Sequence, residues 1–140
     1  QAADLERLVR ERFARYAVIE EKEPMSESYM VDDADYVVVA YGASARVAKA
    51  AVREAREQGI KAGLIRPITL WPFPKQAMRD AAEYAKAFLC VEMSMGQMID
   101  DVKLAIDCSR PVEFFGRTGG IIPTPAEVLE NIKKLAGGEK

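Results

Sequence analysis

One short glycine-bearing segment has residue types that could bind an anion. Gly42, Ser44 and Arg46 directly follow an apolar run. Free amide groups at the start of a helix bind phosphate or carboxylate, and Ser44 and Arg46 would add donors. The alternative is structural: Ser44 caps the helix and Arg46 is solvated. The segment also resembles a nucleophile elbow, but Arg46 replaces the final glycine and the chain has no histidine to activate Ser44, so we reject that interpretation.

A second glycine-bearing segment, 116–123, could complete the same site. The planar guanidinium of Arg117 suits a carboxylate or phosphate, and Gly119 and Gly120 would let the backbone approach a ligand closely. Alternatively, Arg117 pairs with a local acid and the segment is a turn that fixes the last helix. The candidate anion site therefore consists of Gly42, Ser44, Arg46, Arg117, Gly119 and Gly120.

Glu92 ends an apolar run and could act as a general acid or base if buried. The alternative is that it contacts neighbouring backbone or a partner subunit. Ser94 and Gln97 have the spacing of a capping box, which predicts that they start the helix that follows.

Two loops are candidates for contact with another domain or subunit. Prolines stiffen the segment that carries Trp71 and Phe73, and aromatic loops of this kind commonly pack at interfaces. The methionines after Glu92 form an adaptable apolar surface that suits either a core or an interface. The candidate interface residues are Trp71, Phe73, Met93, Met95 and Gln97.

Composition excludes several classes of function. The absence of histidine excludes Ser-His-Asp and Cys-His catalysis and histidine-ligated metals. Cys90 and Cys108 are too few and too far apart to ligate a metal unaided, they fit a reducing cytoplasm, and Cys90 lies in an apolar run that predicts burial. A net charge of -2 gives no basic footprint for nucleic acid, and no apolar run approaches the ~20 residues that span a membrane. We predict no catalytic residue and no metal site in this chain.

The elements that must position these residues alternate along the chain. Helical spacing of Leu5, Leu8, Val9, Phe13, Tyr16 and Ile19 predicts an amphipathic helix over 3–23, ended by Pro24. Apolar runs without alternation predict buried strands at 36–41, 60–65, 87–92 and 112–115. Helical patterns follow them at 44–58, 75–85, 98–106 and from Pro125, where Thr124 and Glu127 have the spacing of a capping box. This alternation predicts a three-layer α/β/α domain with a mostly parallel sheet. The ends of its strands would bring three glycine-bearing corners, 42–46, 92–97 and 116–123, to one edge.

Four segments together resemble the alpha subunit of the 2-oxoacid:ferredoxin oxidoreductases, most closely the 2-ketoisovalerate type and next the 2-oxoglutarate type. They are 41–46 (YGASAR), 63–74 (GLIRPITLWPFP), 91–98 (VEMSMGQM) and 115–123 (FGRTGGIIP). The resemblance covers roughly residues 35–135. It implies a transketolase C-terminal-like domain with a five-stranded mixed sheet, in which an antiparallel first strand lies near 27–31.

The resemblance also implies a function. The holoenzyme would decarboxylate a 2-oxoacid on thiamine diphosphate, with magnesium, pass electrons through iron–sulfur clusters to ferredoxin and form an acyl-CoA. These cofactors would lie in other domains and subunits. Residues 1–24 would be a helical tether from an upstream domain, and residues 25–140 an assembly domain that is inactive alone. The alternative is a stand-alone module that binds phosphate or CoA.

Overall fold

A five-stranded, mostly parallel sheet forms the centre of the computed structural model, which describes residues 1–137; residues 138–140 of the predicted domain lie outside the described part. The strands are β1 (Ser26–Tyr29), β2 (Tyr36–Ala40), β3 (Ala62–Pro67), β4 (Ala87–Glu92) and β5 (Val112–Gly116). Their order is β1-β3-β2-β4-β5, and β1 runs antiparallel to β3 at one edge. The expected antiparallel first strand is therefore present, slightly earlier in the chain than 27–31.

Helices cover both faces of the sheet. They are α1 (Ala2–Lys22), α2 (Gly42–Glu57), α3 (Lys75–Ala82), α4 (Met98–Ala105) and α5 (Pro125–Gly137). Small side chains of α2 pack with α5 against Val38, Leu64 and Leu89, whereas α3 and α4 cover the opposite face. The predicted three-layer α/β/α fold is confirmed.

The apolar runs of β2, β3 and β4 form strands because both of their faces are buried. The prediction of a buried strand at 112–115 was wrong in its burial, because β5 lies at the edge of the sheet and its residues are half-buried or exposed. Val38 of β2 pairs in parallel register with Leu64 of β3 and with Leu89 of β4. The run predicted to start at Ile60 becomes a strand only at Ala62. The preceding residues end α2 instead, where the Ile60 N–H donates to the Ala55 carbonyl.

The winding of the chain reverses at β2, because β3 and β4 lie on its two sides. The four parallel strands end at one edge, which we call the carboxyl edge. The corners at Gly42, Gly96 and Gly116 follow β2, β4 and β5, so all three lie at this edge, as predicted.

Helix α1 projects from the domain, and none of its residues is buried. The Tyr16 ring contacts the Trp71 ring edge to face, with centroids 5.3 Å apart. Within residues 1–137, no helix is long and apolar enough to cross a membrane.

Gly63→Ala tests how closely the segment after β1 packs on β3. The added Cβ would lie 2.6 Å from the Met30 carbonyl oxygen and 3.0 Å from the Val31 Cα, and both neighbours are backbone atoms. We expect the free energy of unfolding to fall by about 1–3 kcal/mol, measured by urea unfolding. Gly137→Ala is the control, because its Cβ would meet nothing within 4 Å. An unchanged G63A midpoint would contradict this packing.

Candidate functional site

A groove of about 710 Å³ lies where β1 and β3 meet the start of α2. Gly42, Ala43 and Arg46 of the first glycine-bearing segment line it, together with Lys49 and Arg66. Lys49 and Arg66 were not among the residues predicted for the anion site. Lys49 is one turn from Arg46, whereas Arg66 reaches the groove only through the pairing of β3 in the sheet.

The groove is electropositive. Arg66 pairs with Glu27 at 2.9 Å, and the Lys49 ammonium lies 4.7 Å from the centre of the Tyr29 ring. Arg46 is exposed and makes no ion pair or hydrogen bond with any residue in 1–137. The first turn of α2 contains no acidic residue and receives no side-chain cap. Cations and free amides at a helix start favour an anion.

Ser44 does not cap α2, so that prediction was wrong. The helix begins at Gly42, which has a φ of +57° and turns the chain directly from strand into helix. Ser44 therefore lies within the first turn. Its side chain is buried and is not among the residues that line the groove.

The second half of the candidate anion site lies elsewhere along the carboxyl edge. Arg117, Gly119 and Gly120 follow β5, and β4 separates β5 from β2. They do not line the groove. In the structure, Gly42 and Arg46 therefore line the groove together with Lys49 and Arg66, and Arg117 lies outside it.

Arg117 pairs with a local acid, which was one of the two alternatives. Its guanidinium lies 3.4 Å from the Glu127 carboxylate, while its buried Nε–H has no hydrogen-bond partner among the described residues. Thr124 and Glu127 form the predicted capping box: the Thr124 N–H donates to the Glu127 carboxylate and the Glu127 N–H donates to the Thr124 hydroxyl. The Thr124 N–H, its hydroxyl and the positive charge of Arg117 together lower the pKa of Glu127.

Glu92 is only 1% exposed and caps α4. Its carboxylate accepts the backbone N–H of Met98 at 2.8 Å, Gln97 at 3.1 Å and Ile99 at 3.2 Å. These bonds and the positive end of the helix dipole compensate for burial of the charge. Glu92 thus contacts neighbouring backbone, and its oxygens are occupied.

The capping box predicted from Ser94 and Gln97 was wrong. Gln97 is the N-cap residue but makes no side-chain cap hydrogen bond. The Ser94 hydroxyl instead accepts the Gly96 N–H at 3.1 Å. Ser94 and Gln97 have the spacing of a capping box, but the first amides of α4 donate to the buried carboxylate of Glu92 instead.

The corners after β4 and β5 form one packed unit. The Arg117 N–H donates to the Glu92 carbonyl at 3.1 Å. A Cβ at Gly116 would collide with the Ser94 carbonyl oxygen and the Phe114 ring, so only glycine fits there. The position of one corner therefore fixes the other.

Four of the five candidate interface residues are exposed. Trp71, Met93, Met95 and Gln97 lie at the surface. Phe73 is buried in the core with α3 and α4, because the proline-rich loop folds inward after Trp71. Ile121 and Ile122, in the corner after β5, are also exposed apolar residues.

Cys90 is buried in β4, as predicted, and Cys108 is exposed. Burial, and secondly the negative charge of Glu92, raise the pKa of the Cys90 thiol, which disfavours the reactive thiolate. Residues 1–137 contain no cluster of three or more histidine, cysteine or acidic side chains able to hold a metal ion.

Comparison with known proteins identifies the family to which this domain is similar. Residues 34–128 match the model of the pyruvate:ferredoxin oxidoreductase core domain II family. The chain is 51% identical over 123 residues to ketoisovalerate oxidoreductase subunit VorB of Methanothermobacter marburgensis, covering 88% of this chain and 35% of that protein. It is 43% identical over 101 residues to 2-oxoglutarate synthase subunit KorA of the same organism, covering 72% of this chain and 27% of that protein. The chain thus spans about a third of the length of the curated relatives it matches.

Solved structures share the fold. A 2-oxoglutarate:ferredoxin oxidoreductase from Magnetococcus marinus superposes with a TM-score of 0.76 at 20% identity, over 96% of this chain and 23% of that chain. A split gene transketolase superposes with a TM-score of 0.63 at 15% identity, over 79% of this chain and 40% of that chain. The predicted transketolase-like fold is confirmed.

Glu92→Gln tests the cap on α4. Glutamine has no negative charge. Its side-chain NH2 group, which can only donate, would replace one of the two carboxylate oxygens that accept the amides of α4. We expect the free energy of unfolding to fall by about 1–3 kcal/mol in urea, with faster hydrogen exchange at the Met98 and Ile99 amides. Glu113→Gln, at an exposed position of β5, is the control and should change neither. Unchanged protection of the two amides in E92Q would show that the carboxylate does not hold the helix.

Proposed function

The chain belongs to the pyruvate:ferredoxin oxidoreductase core domain II family, and from that premise we propose that it is the C-terminal assembly domain of a 2-oxoacid:ferredoxin oxidoreductase. The observation that carries the proposal is the 51% identity, over 88% of this chain, with a ketoisovalerate oxidoreductase subunit. Identity with 2-oxoglutarate synthase subunits is lower and covers less of the chain. The proposed substrate of the whole enzyme is therefore 2-ketoisovalerate.

The proposed reaction is oxidative decarboxylation. The 2-oxoacid and CoA give carbon dioxide and an acyl-CoA, and two electrons pass to ferredoxin. Thiamine diphosphate with magnesium would supply the decarboxylation chemistry, and iron–sulfur clusters would carry the electrons. The residues described here do not offer the ligands of a cluster, since Cys90 is buried in the sheet and Cys108 lies alone at the surface. The proposal places these cofactors in other parts of the enzyme.

The role proposed for this domain is to hold other parts of the enzyme together in the cytoplasm. Exposed apolar side chains occur on α1, at Trp71 and at the corners after β4 and β5. Glu92, the buried carboxylate that could have served as an acid or base, is fully used in capping α4. Helix α1 lies outside the residues that match the family model, which supports its assignment as a tether to an upstream domain.

Anion binding is the second candidate function. The groove with Arg46, Lys49 and Arg66 beside the uncapped start of α2 favours it. The proposed ligand is a phosphate-bearing molecule, with CoA as one example. Arg117 has no part in this version of the site, because Glu127 already pairs with it.

Purification of the tagged protein from its source cells tests the assembly proposal. We expect subunits that carry thiamine diphosphate and clusters to co-purify, and the complex to oxidise 2-ketoisovalerate with CoA faster than 2-oxoglutarate or pyruvate. The isolated chain should show no turnover and no thiamine diphosphate binding by calorimetry. Absence of any oxidoreductase subunit would defeat the proposal. A preference for 2-oxoglutarate would defeat only the substrate assignment.

Thermal unfolding with inorganic phosphate or CoA tests anion binding. We expect the melting temperature to rise with ligand concentration, because a ligand that binds only the folded state stabilises it. R46A/K49A should abolish the rise. Arg53→Ala, which removes an exposed arginine of α2 outside the groove, should preserve it. No rise in the parent chain, or an equal rise in R46A/K49A, would reject the groove as the site.

A further inference from the structure

Most of the apolar stripe of α1 has no partner among residues 1–137; the exception is its last turns, where Tyr16 contacts Trp71 and Ile19 is half-buried. We define the α1 stripe as Leu5, Leu8, Val9, Phe13, Tyr16 and Ile19. Except for the half-buried Ile19, its members are between 37% and 65% exposed. The helix has 21 residues and is therefore about 31 Å long. Most helical stability in proteins comes from packing of an apolar face, so a face of this kind is expected to be covered.

Aromatic side chains concentrate at the end of the α1 stripe nearest the domain. The Phe13 and Tyr16 ring centroids are 5.7 Å apart, and Tyr16 in turn meets Trp71. Phe13, Tyr16, Ala17, Glu20 and Trp71 line a groove of about 590 Å³. At protein interfaces, a few clustered residues contribute most of the binding energy, and aromatic residues are common among them.

A positive charge stands in the middle of the α1 stripe. Arg12 is seven residues from both Leu5 and Ile19, which is about two helical turns, so all three lie nearly in line. The Glu6–Arg10 and Arg7–Glu11 pairs, at 2.6 Å and 2.8 Å, engage other charges of the helix. Arg12 makes no ion pair or hydrogen bond with any residue in 1–137. A surface that covers the stripe must therefore also accommodate this guanidinium.

We propose that the α1 stripe docks on an apolar protein segment of the oxidoreductase that places a carboxylate opposite Arg12. This inference rests on the proposed function for the identity of the partner. The charge requirement comes from the helix itself, because an arginine covered by apolar surface needs an anionic partner. Trp71 and Phe13 supply the adjoining apolar contact.

A second copy of the chain is a poor occupant. Arg12 lies midway between Leu5 and Ile19, so full overlap of two α1 helices, parallel or antiparallel, sets Arg12 against Arg12. Like charges within an apolar seam oppose pairing. An anionic membrane is also disfavoured, because Glu20, Glu21 and Glu23 lie at the end of the helix where Trp71 would enter the lipid.

Photo-crosslinking identifies the occupant. A benzoyl-phenylalanine at position 13 of the tagged protein, irradiated in its source cells, should join to one apolar segment with an aspartate or glutamate. We expect that segment to belong to another part of the oxidoreductase. A crosslink to a second copy of this chain, no crosslink, or sedimentation with vesicles of phosphatidylglycerol and phosphatidylcholine would overturn the proposal. A crosslink to a carboxylate-bearing apolar segment outside any oxidoreductase would support the surface and defeat the proposed function.

Charge reversal tests the role of Arg12. Arg12→Glu should weaken association with the crosslinked segment about tenfold or more, and replacing the mapped carboxylate by lysine should restore it. Arg53→Glu makes the same change of charge on an exposed face of α2 and should leave association unchanged. Circular dichroism would verify that both variants retain the parent helix content. Equal association of R12E and the parent would show that no carboxylate faces Arg12.

Discussion

The buried carboxylate of Glu92 is the constraint on which the carboxyl edge depends. Glu92 ends strand β4, and its carboxylate accepts the first amides of α4. Its backbone carbonyl accepts the N–H of Arg117 from the next corner. One residue therefore sets both the start of a helix and the path of the chain after β5. The charge is tolerated in the core because amide hydrogen bonds replace the water that burial removes. Its side chain thereby serves the architecture, whereas a free carboxylate at the same place would be available for proton transfer.

The helices that follow β2, β4 and β5 begin at the same edge but start in different ways. A buried carboxylate from the preceding strand fills the start of α4, and a local threonine–glutamate pair fills the start of α5. No side chain fills the start of α2, which opens on the electropositive groove. This difference distinguishes the two glycine-bearing segments that look alike as anion sites, and β4, which lies between β2 and β5, keeps them apart in space. Where a carboxylate already holds the amides, as at α4 and α5, the positive end of the helix is neutralised. At α2 it remains available.

Local patterns in the sequence were sufficient for the four parallel strands and the helices that follow them, whereas the antiparallel first strand was expected from the family resemblance. Apolar runs identified the four parallel strands, and the capping box at Thr124 placed the start of α5 correctly because its partners are three residues apart. The failures involve partners fixed by tertiary structure. Glu92 reaches Met98 only because the chain turns at the end of β4, so the Ser94 and Gln97 pattern was misleading. Arg66 joins Arg46 only through the pairing of β2 with β3. Phe73 and Trp71 are two residues apart with similar chemistry, and only the path of the loop decides which of them is buried.

The distribution of exposed apolar side chains separates this domain's stability from its proposed role in assembly. Helices of this chain cover both faces of the sheet and form the buried core with it. The α1 stripe, Trp71 and the corners after β4 and β5 contribute little to that core and remain at the surface. A domain that only had to fold would gain from polar residues at these positions, since exposed apolar surface favours association. Their presence at the surface is what a unit of the proposed assembly needs in order to hold its neighbours. Arg12, which has no ion-pair partner among residues 1–137, would make that contact selective for a partner of opposite charge.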